Sequence, residues 1–212
     1  MKRFIAVILI LLGISLISFP KLKETYYDHR QKKLLEDLTQ SWAKLDEYEN
    51  NDTMTEENVN SDDDTKEKDC NYLAKYIETH AEGLLKIDKI KLQMPILKSA
   101  TKRNLDISAA SLEGTGRPGE VGNYCISAHR SRSYGRQFNR LDELVAGDLV
   151  HVVQKDITYT YEVFEKLVVK AEDTWVLLPR GEEKLLTLIT CDYSSKPYPR
   201  LIVVGILKEP DK

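Results

Sequence analysis

The 212-residue sequence predicts a mostly β protein: a closed barrel or sandwich of seven or eight short, mostly antiparallel strands, preceded by an apolar N-terminal helix. Three observations carry this. From residue 84 onward apolar side chains recur with a period of two, in runs rich in Val, Ile, Leu, Thr and Tyr, the pattern of half-buried strands. Little helical periodicity separates those runs, which argues against alternating βα units. At the N-terminus, residues 4–19 (FIAVILILLGISLISF) carry no charge at all.

Composition excludes several classes before any motif is considered. Hydrophobic residues make up 42% and charged residues 31%, with 10 Gly and 7 Pro, unlike collagen or a wholly disordered chain. The formal net charge of −3 suggests neither a nucleic-acid binder nor a polyacid. That average conceals three unlike segments. Residues 1–20 carry only Lys2 and Arg3, residues 21–69 hold 8 basic against 15 acidic side chains, and residues 70–212 hold 21 against 19.

The elements follow in order. Residues 1–20 read as a transmembrane signal anchor: the uncharged stretch gives roughly 24 Å of helix, and Lys2, Arg3, Lys21 and Lys23 can snorkel to the headgroups. No small-x-small cleavage site follows it, so it reads as uncleaved. Positive-inside counting alone weakly favours a cytoplasmic C-terminus. Residues 21–69 form an amphipathic helix and an acidic linker. Leu34, Leu35, Leu38, Trp42 and Leu45 recur at helical spacing, whereas residues 50–69 contain only Met54 and Val59 as apolar side chains. Asp62 and Asp64 lack the turn glycine and terminal Glu of a calcium loop. Leu73, Tyr76, Ile77 and His80 mark a second short helix, capped by Asp69 and stopped by Gly83.

Strand candidates cover residues 84–90, 95–98, 123–128, 149–154, 158–169, 184–191 and 200–207. Gly114, Gly116 and Gly119 spell G-x-G-x-x-G, but Pro118 interrupts the motif and a strand follows it, so it reads as a turn-rich loop rather than a dinucleotide site. Arg130, Arg132, Arg136 and Arg140, interleaved with Tyr134 and Phe138, read as a solvated loop rather than a nucleic-acid surface.

Three cysteines without C-x-x-C indicate neither a disulfide framework nor a zinc knuckle. Cys70 sits at the linker edge, and Cys125 lies within a strand as a small core residue. Cys191 ends one apolar run, and after eight intervening residues Arg200 begins the next. If the two runs pair as a hairpin, thiol and guanidinium lie side by side at its open rim. His129 similarly ends a strand and precedes a polar loop, although a satisfied structural histidine is the ordinary alternative. The three residue types belong together chemically. With unperturbed pKa values of about 8.5 for Cys and 6.5 for His, a thiolate–imidazolium pair is roughly one hundredth of the neutral pair. A neighbouring Arg favours the thiolate and can stabilise an oxyanion, while a histidinium can protonate a departing amine.

These residues resemble a known family. Thr187-Leu188-Ile189-Thr190-Cys191 is similar to the T-L-x-T-C motif of sortases, the cysteine transpeptidases of Gram-positive surfaces. Pro118-Gly119-Glu120 through Gly122-Asn123 leads into Ala128-His129 as in that family, Phe138-x-x-Leu141 through Gly147-Asp148 matches its next segment, and Arg200 stands at the start of the final strand. The match spans roughly residues 84–207. It implies an eight-stranded sortase-type barrel over residues 70–212 that needs no cofactor or metal. Cys191 is then the nucleophile, His129 the general acid/base, and Arg200 the substrate and oxyanion stabiliser. The implied partners are surface proteins with C-terminal LPxTG-like sorting signals and a peptidoglycan precursor amine, with lipid contacted through residues 4–19 and no nucleic acid. It also implies a single-pass membrane location with the catalytic domain outside the cell. Ile126-Ser127-Ala128-His129-Arg130-Ser131 and Tyr134-Gly135-Arg136 look like class D. Class A stays open, as do a purely hydrolytic enzyme and a non-catalytic barrel that binds sorting signals.

Overall fold

A computed structural model describes residues 75–76, 79–132, 135–155 and 157–208. The predicted membrane anchor and the acidic linker lie outside the described residues, as does Cys70. Among the described residues, no helix is long and apolar enough to cross a membrane.

The strands are β1 (Ala81–Ile87), β2 (Leu92–Leu97), β3 (Ala109–Ser111), β4 (Gly122–Ser127), β5 (Leu149–Gln154), β6 (Ile157–Val169), β7 (Lys184–Cys191) and β8 (Arg200–Leu207), with one short helix, α1 (Lys102–Ile107), between β2 and β3. Their order, β1-β2-β3-β4-β7-β8-β6-β5, closes into a barrel because β5 also pairs with β1. Closure removes the unpaired edges that an open sheet of this length would leave. Two neighbouring pairs, β2–β3 and β4–β7, are parallel, and the others are antiparallel.

Strand alternation sends Leu85, Ile87, Met94, Ile96, Tyr124, Ile126, Val150, Val152, Tyr161, Val163, Leu186, Leu188, Leu201 and Val203 into the barrel. The opposite faces of β4, β7 and β8 are covered too. Cys125, Leu185, Ile189, Ile202 and Val204 pack there against Val176, with Leu177 alongside, from the β6–β7 connection. Burial on both faces explains why β7 and β8 read as near-continuous apolar runs, whereas β6 alternates. The two-sided packing holds the C-terminal end of β7 and the N-terminal end of β8 between two apolar layers.

Several boundaries differ from expectation. The run over 84–90 begins earlier, at Ala81, and ends at Ile87; residues Asp88–Ile90 form a 3-10 turn closed by Lys91 in the left-handed region. Gly83 therefore does not stop a helix but lies within β1, where a Cβ would meet the Val153 carbonyl. The strand expected over 95–98 extends back to Leu92. Neither β3 nor α1 was expected. With three residues, β3 is too short to show a period; α1 is a six-residue helix whose start is fixed by Thr101, whose side chain accepts from the Asn104 N–H at 3.2 Å. The G-x-G-x-x-G segment lies in the β3–β4 loop, with no helix after it, as expected.

Candidate active site

The hairpin inferred from spacing is present: β7 and β8 pair antiparallel, and their final pair is Cys191 with Arg200. β4 runs parallel to β7 on its other side, from Gly122–Lys184 to Ser127–Ile189. The ladder continues with the Ala128 N–H donating to the Ile189 carbonyl at 3.2 Å. His129 follows two residues beyond the last β4–β7 pair, Ser127 with Ile189. Of the residues singled out from the sequence, Cys191 and Arg200 are paired across the hairpin, and His129 lies just beyond the end of the adjacent β4.

The T-L-x-T-C sequence acquires a physical reason here. Thr190 donates its hydroxyl to the Ala128 carbonyl at 2.9 Å, and Thr187 donates to Asn123 Oδ1 at 2.7 Å; both hydroxyls are buried. Both threonines therefore tie β7 to β4 by side chain as well as by backbone. Asn123 in turn donates to the Val176 and Leu178 carbonyls, at 2.9 and 3.3 Å, and so fixes the β6–β7 connection over the strands.

Cys191 is partly exposed, and Cys125 is fully buried; both are free thiols. Burial pushes the Cys125 thiol up to about 12, with Thr187 and Thr115 opposing only in part. Such a group is inert as a nucleophile near neutral pH. Of the three cysteines, Cys191 is the one that the described structure presents at a strand end beside a cation.

Arg200 Nη1 donates to the carbonyls of Tyr198 at 2.8 Å and Pro199 at 3.4 Å. His129 is exposed, its carbonyl accepts from the Phe138 N–H at 3.1 Å, and its Nε2 lies 3.5 Å from Asp106 Oδ1. Asp106, on α1, is held below the usual carboxylate value, first by its hydrogen bond from Lys102 and also by His129. Sequence reasoning missed Asp106 because α1 itself was not legible. The other described histidines are engaged elsewhere: His151 Nδ1 with Thr160 Oγ1 at 3.0 Å, and His80 Nδ1 with Thr79 Oγ1 and the Tyr76 carbonyl, each at 2.8 Å.

The arginine-rich loop is not simply solvated. Arg130 pairs with Asp142 at 3.1 Å and Asp192 at 3.5 Å with its side chain 18% exposed, and Arg140 is engaged by Glu143 at 2.7 Å and the Ile90 carbonyl at 3.0 Å. No group of His, Cys, Asp and Glu side chains suited to a metal occurs among the described residues.

A closed eight-stranded mixed barrel carries Cys191 and Arg200 as the last pair of one hairpin, with His129 two residues beyond the end of the adjacent β4. The family model described as the sortase domain matches residues 85–208, well over half of the chain, and the chain belongs to the sortase family. It is similar to sortase A of Bacillus anthracis, 28% identical over 205 residues that span 96% of this chain and 92% of the relative. Sortase D of Bacillus subtilis is also 28% identical, over 128 residues covering 59% of this chain and 63% of the relative. The solved structure of a Clostridium perfringens sortase D5 transpeptidase superimposes with a TM-score of 0.61 at 25% identity, covering 85% of this chain and 99% of that one.

Proposed function

We propose that this sortase is a class D cysteine transpeptidase that cleaves an LPxTG-like sorting signal after its Thr and transfers the protein to a cell-wall amine. The observation that carries the reading is the Cys191–Arg200 pair at the rim of the β7–β8 hairpin, with His129 two residues beyond the end of the adjacent β4. The Cys191 thiolate attacks the Thr carbonyl carbon to give a tetrahedral oxyanion. Arg200 Nε and Nη2, which have no hydrogen-bond partner among the described residues, are available to stabilise that oxyanion. The C–N bond breaks as histidinium His129 gives its proton to the departing amine, leaving a thioester and neutral imidazole. An acceptor amine then attacks the thioester; His129 takes up the amine proton, the C–S bond breaks, and the thiolate returns.

The class D assignment rests on the segments Ile126-Ser127-Ala128-His129-Arg130-Ser131 and Tyr134-Gly135-Arg136; the relatives include sortases A and D alike. Residues 70–212 are the catalytic unit, residues 21–69 a stalk, and residues 1–20 a single-pass anchor that places the domain on the outer face of the membrane, where sorting signals and wall precursors are found.

The test incubates the full-length protein in detergent with an LPxTG- or LPxTA-type peptide and maps the covalent adduct by mass spectrometry. The expected result is a peptide thioester on Cys191 that disappears in Cys191→Ala and is released by added amine as the amide. An adduct on Cys70, or turnover that survives Cys191→Ala, overturns the assignment.

A further inference from the structure

Hydrogen bonds and ion pairs bracket Cys191, at the end of β7, and His129, two residues beyond the end of β4. Below them lie the last β4–β7 ladder bond, Ala128 N–H to the Ile189 carbonyl at 3.2 Å, and the Thr190 hydroxyl on the Ala128 carbonyl at 2.9 Å. Above them the backbone ladder has ended, and the connection passes to Arg130, the residue after His129. Its Nη1 lies 3.5 Å from Oδ1 of Asp192, the residue after Cys191, and its carbonyl accepts the Tyr193 hydroxyl at 2.7 Å. Its Nη2 reaches Asp142 at 3.1 Å, in the 3-10 turn Phe138–Glu143. The Asp192 carboxylate also takes the Ser194 N–H at 3.0 Å, and the Asp192 N–H donates to the Pro199 carbonyl at 2.9 Å, so the start of the β7–β8 loop is tied both to Arg130 and to itself.

We propose that Arg130 is a positioning residue: it clasps the β7–β8 loop through Asp192 and Tyr193 and so keeps the Cys191 thiol aligned with the His129 imidazole. Its side chain is only 18% exposed and that of Asp192 17%, so the pair is largely removed from the screening that makes surface ion pairs negligible. A guanidinium suits the task because its two terminal nitrogens engage carboxylates on two different elements, which a single ammonium on a flexible stem does not reproduce. Alignment matters because a displacement of about 1 Å between reacting groups can cost on the order of a hundredfold in rate. The consequence for turnover rests on the transpeptidase reading above; the clasp itself does not.

The experiment compares full-length wild type with Arg130→Ala, Arg130→Lys, Asp192→Asn and Tyr193→Phe. It measures peptide acylation and transfer, hydrogen exchange at the Asp192 and Ser194 amides, and thermal unfolding. Arg130→Ala is expected to lower kcat at least tenfold with KM for the peptide within twofold, and to speed exchange at those two amides while core amides stay protected. Arg130→Lys is expected to recover only part of kcat, and Asp192→Asn and Tyr193→Phe to lose about three- to tenfold each. If Arg130→Ala does not fold, the last two variants decide. Unchanged kcat in both, with wild type active, overturns the positioning role. If wild type forms no acyl-enzyme, the transpeptidase reading fails by itself, and unchanged exchange at Asp192 and Ser194 in the variants overturns the clasp independently.

Discussion

The Thr190 hydroxyl donates to the Ala128 carbonyl at 2.9 Å, joining the residue before Cys191 to the residue before His129. Both groups are buried, so removing the hydroxyl strands a carbonyl away from water. Thr190→Val keeps shape and β-branching but not the donor. It is expected to lose about 1–3 kcal/mol of unfolding free energy in urea titrations, and to slow acylation of Cys191. Thr190→Ser, which retains the hydroxyl, is expected to recover most of both; equal loss in Ser and Val would assign the effect to packing of the methyl group.

The two free thiols of the barrel are expected to differ sharply in reactivity. In a Cys70→Ser background at pH 8, iodoacetamide should add one carboxamidomethyl group, on Cys191. Cys125 is fully buried, its Sγ faces the Asn123 carbonyl at 3.6 Å, and burial holds its thiol at about 12. It should react only once denaturant opens the fold, which peptide mapping before and after unfolding reads directly.

What was legible in the sequence follows from chain distance and burial. β7 and β8 stood out because both of their faces are apolar, and eight intervening residues sufficed to place Cys191 opposite Arg200. The parallel β4–β7 pairing that leads toward His129 joins strands about 60 residues apart and leaves no local signature; the position of His129 at the end of a strand candidate and the family motif pointed to it, not the pairing. Arg130 read as solvated for the same reason, since its partner Asp192 is 62 residues away. Asp106 escaped because α1 is too short to develop a helical period. The double layer over β4 and β7 depends on Val176 and Leu177 in a connection that carries no strand pattern.

Gly119, in the Pro-Gly-Glu segment, offers a test of local fit. It adopts φ +77°, its N–H donates to the Tyr161 hydroxyl at 2.8 Å, and an added Cβ would fall inside the edge of the Tyr159 ring. Gly114 has nearly the same φ, +76°, with nothing within 4 Å of an added Cβ. Gly114→Ala is therefore expected to cost about 1 kcal/mol from backbone strain alone, and Gly119→Ala distinctly more, both by urea unfolding. Tyr161→Phe, which removes the acceptor for the Gly119 N–H, is expected to cost about 1–2 kcal/mol. Equal effects at the two glycines would show that the Tyr159 ring yields freely.

Acid sensitivity should trace in part to Asp148, which joins the turn before β5 to the 3-10 turn after β1. Its Oδ2 accepts Lys89 Nζ at 2.7 Å and the Val145 N–H at 2.6 Å. Burial by itself would raise this carboxyl, but the Lys89 hydrogen bond, the Val145 N–H and the nearby lysine charges outweigh it and hold it below the ordinary value. A carboxyl whose folded value is depressed contributes stability that is present above its unfolded value and lost as pH falls through the folded one. With an unfolded Asp near 3.9, roughly, that contribution is complete at pH 7, begins to fall as pH approaches about 4, and is gone only below the depressed folded value. Asp148→Asn still accepts from Val145 but loses the charge that holds Lys89. It should cost about 1 kcal/mol at pH 7, and the gap to wild type should narrow on descending to pH 3. Urea midpoints at pH 7, 5, 4 and 3 measure this gap; a constant difference across the series would place the loss in the shape of the turn rather than in the carboxylate charge.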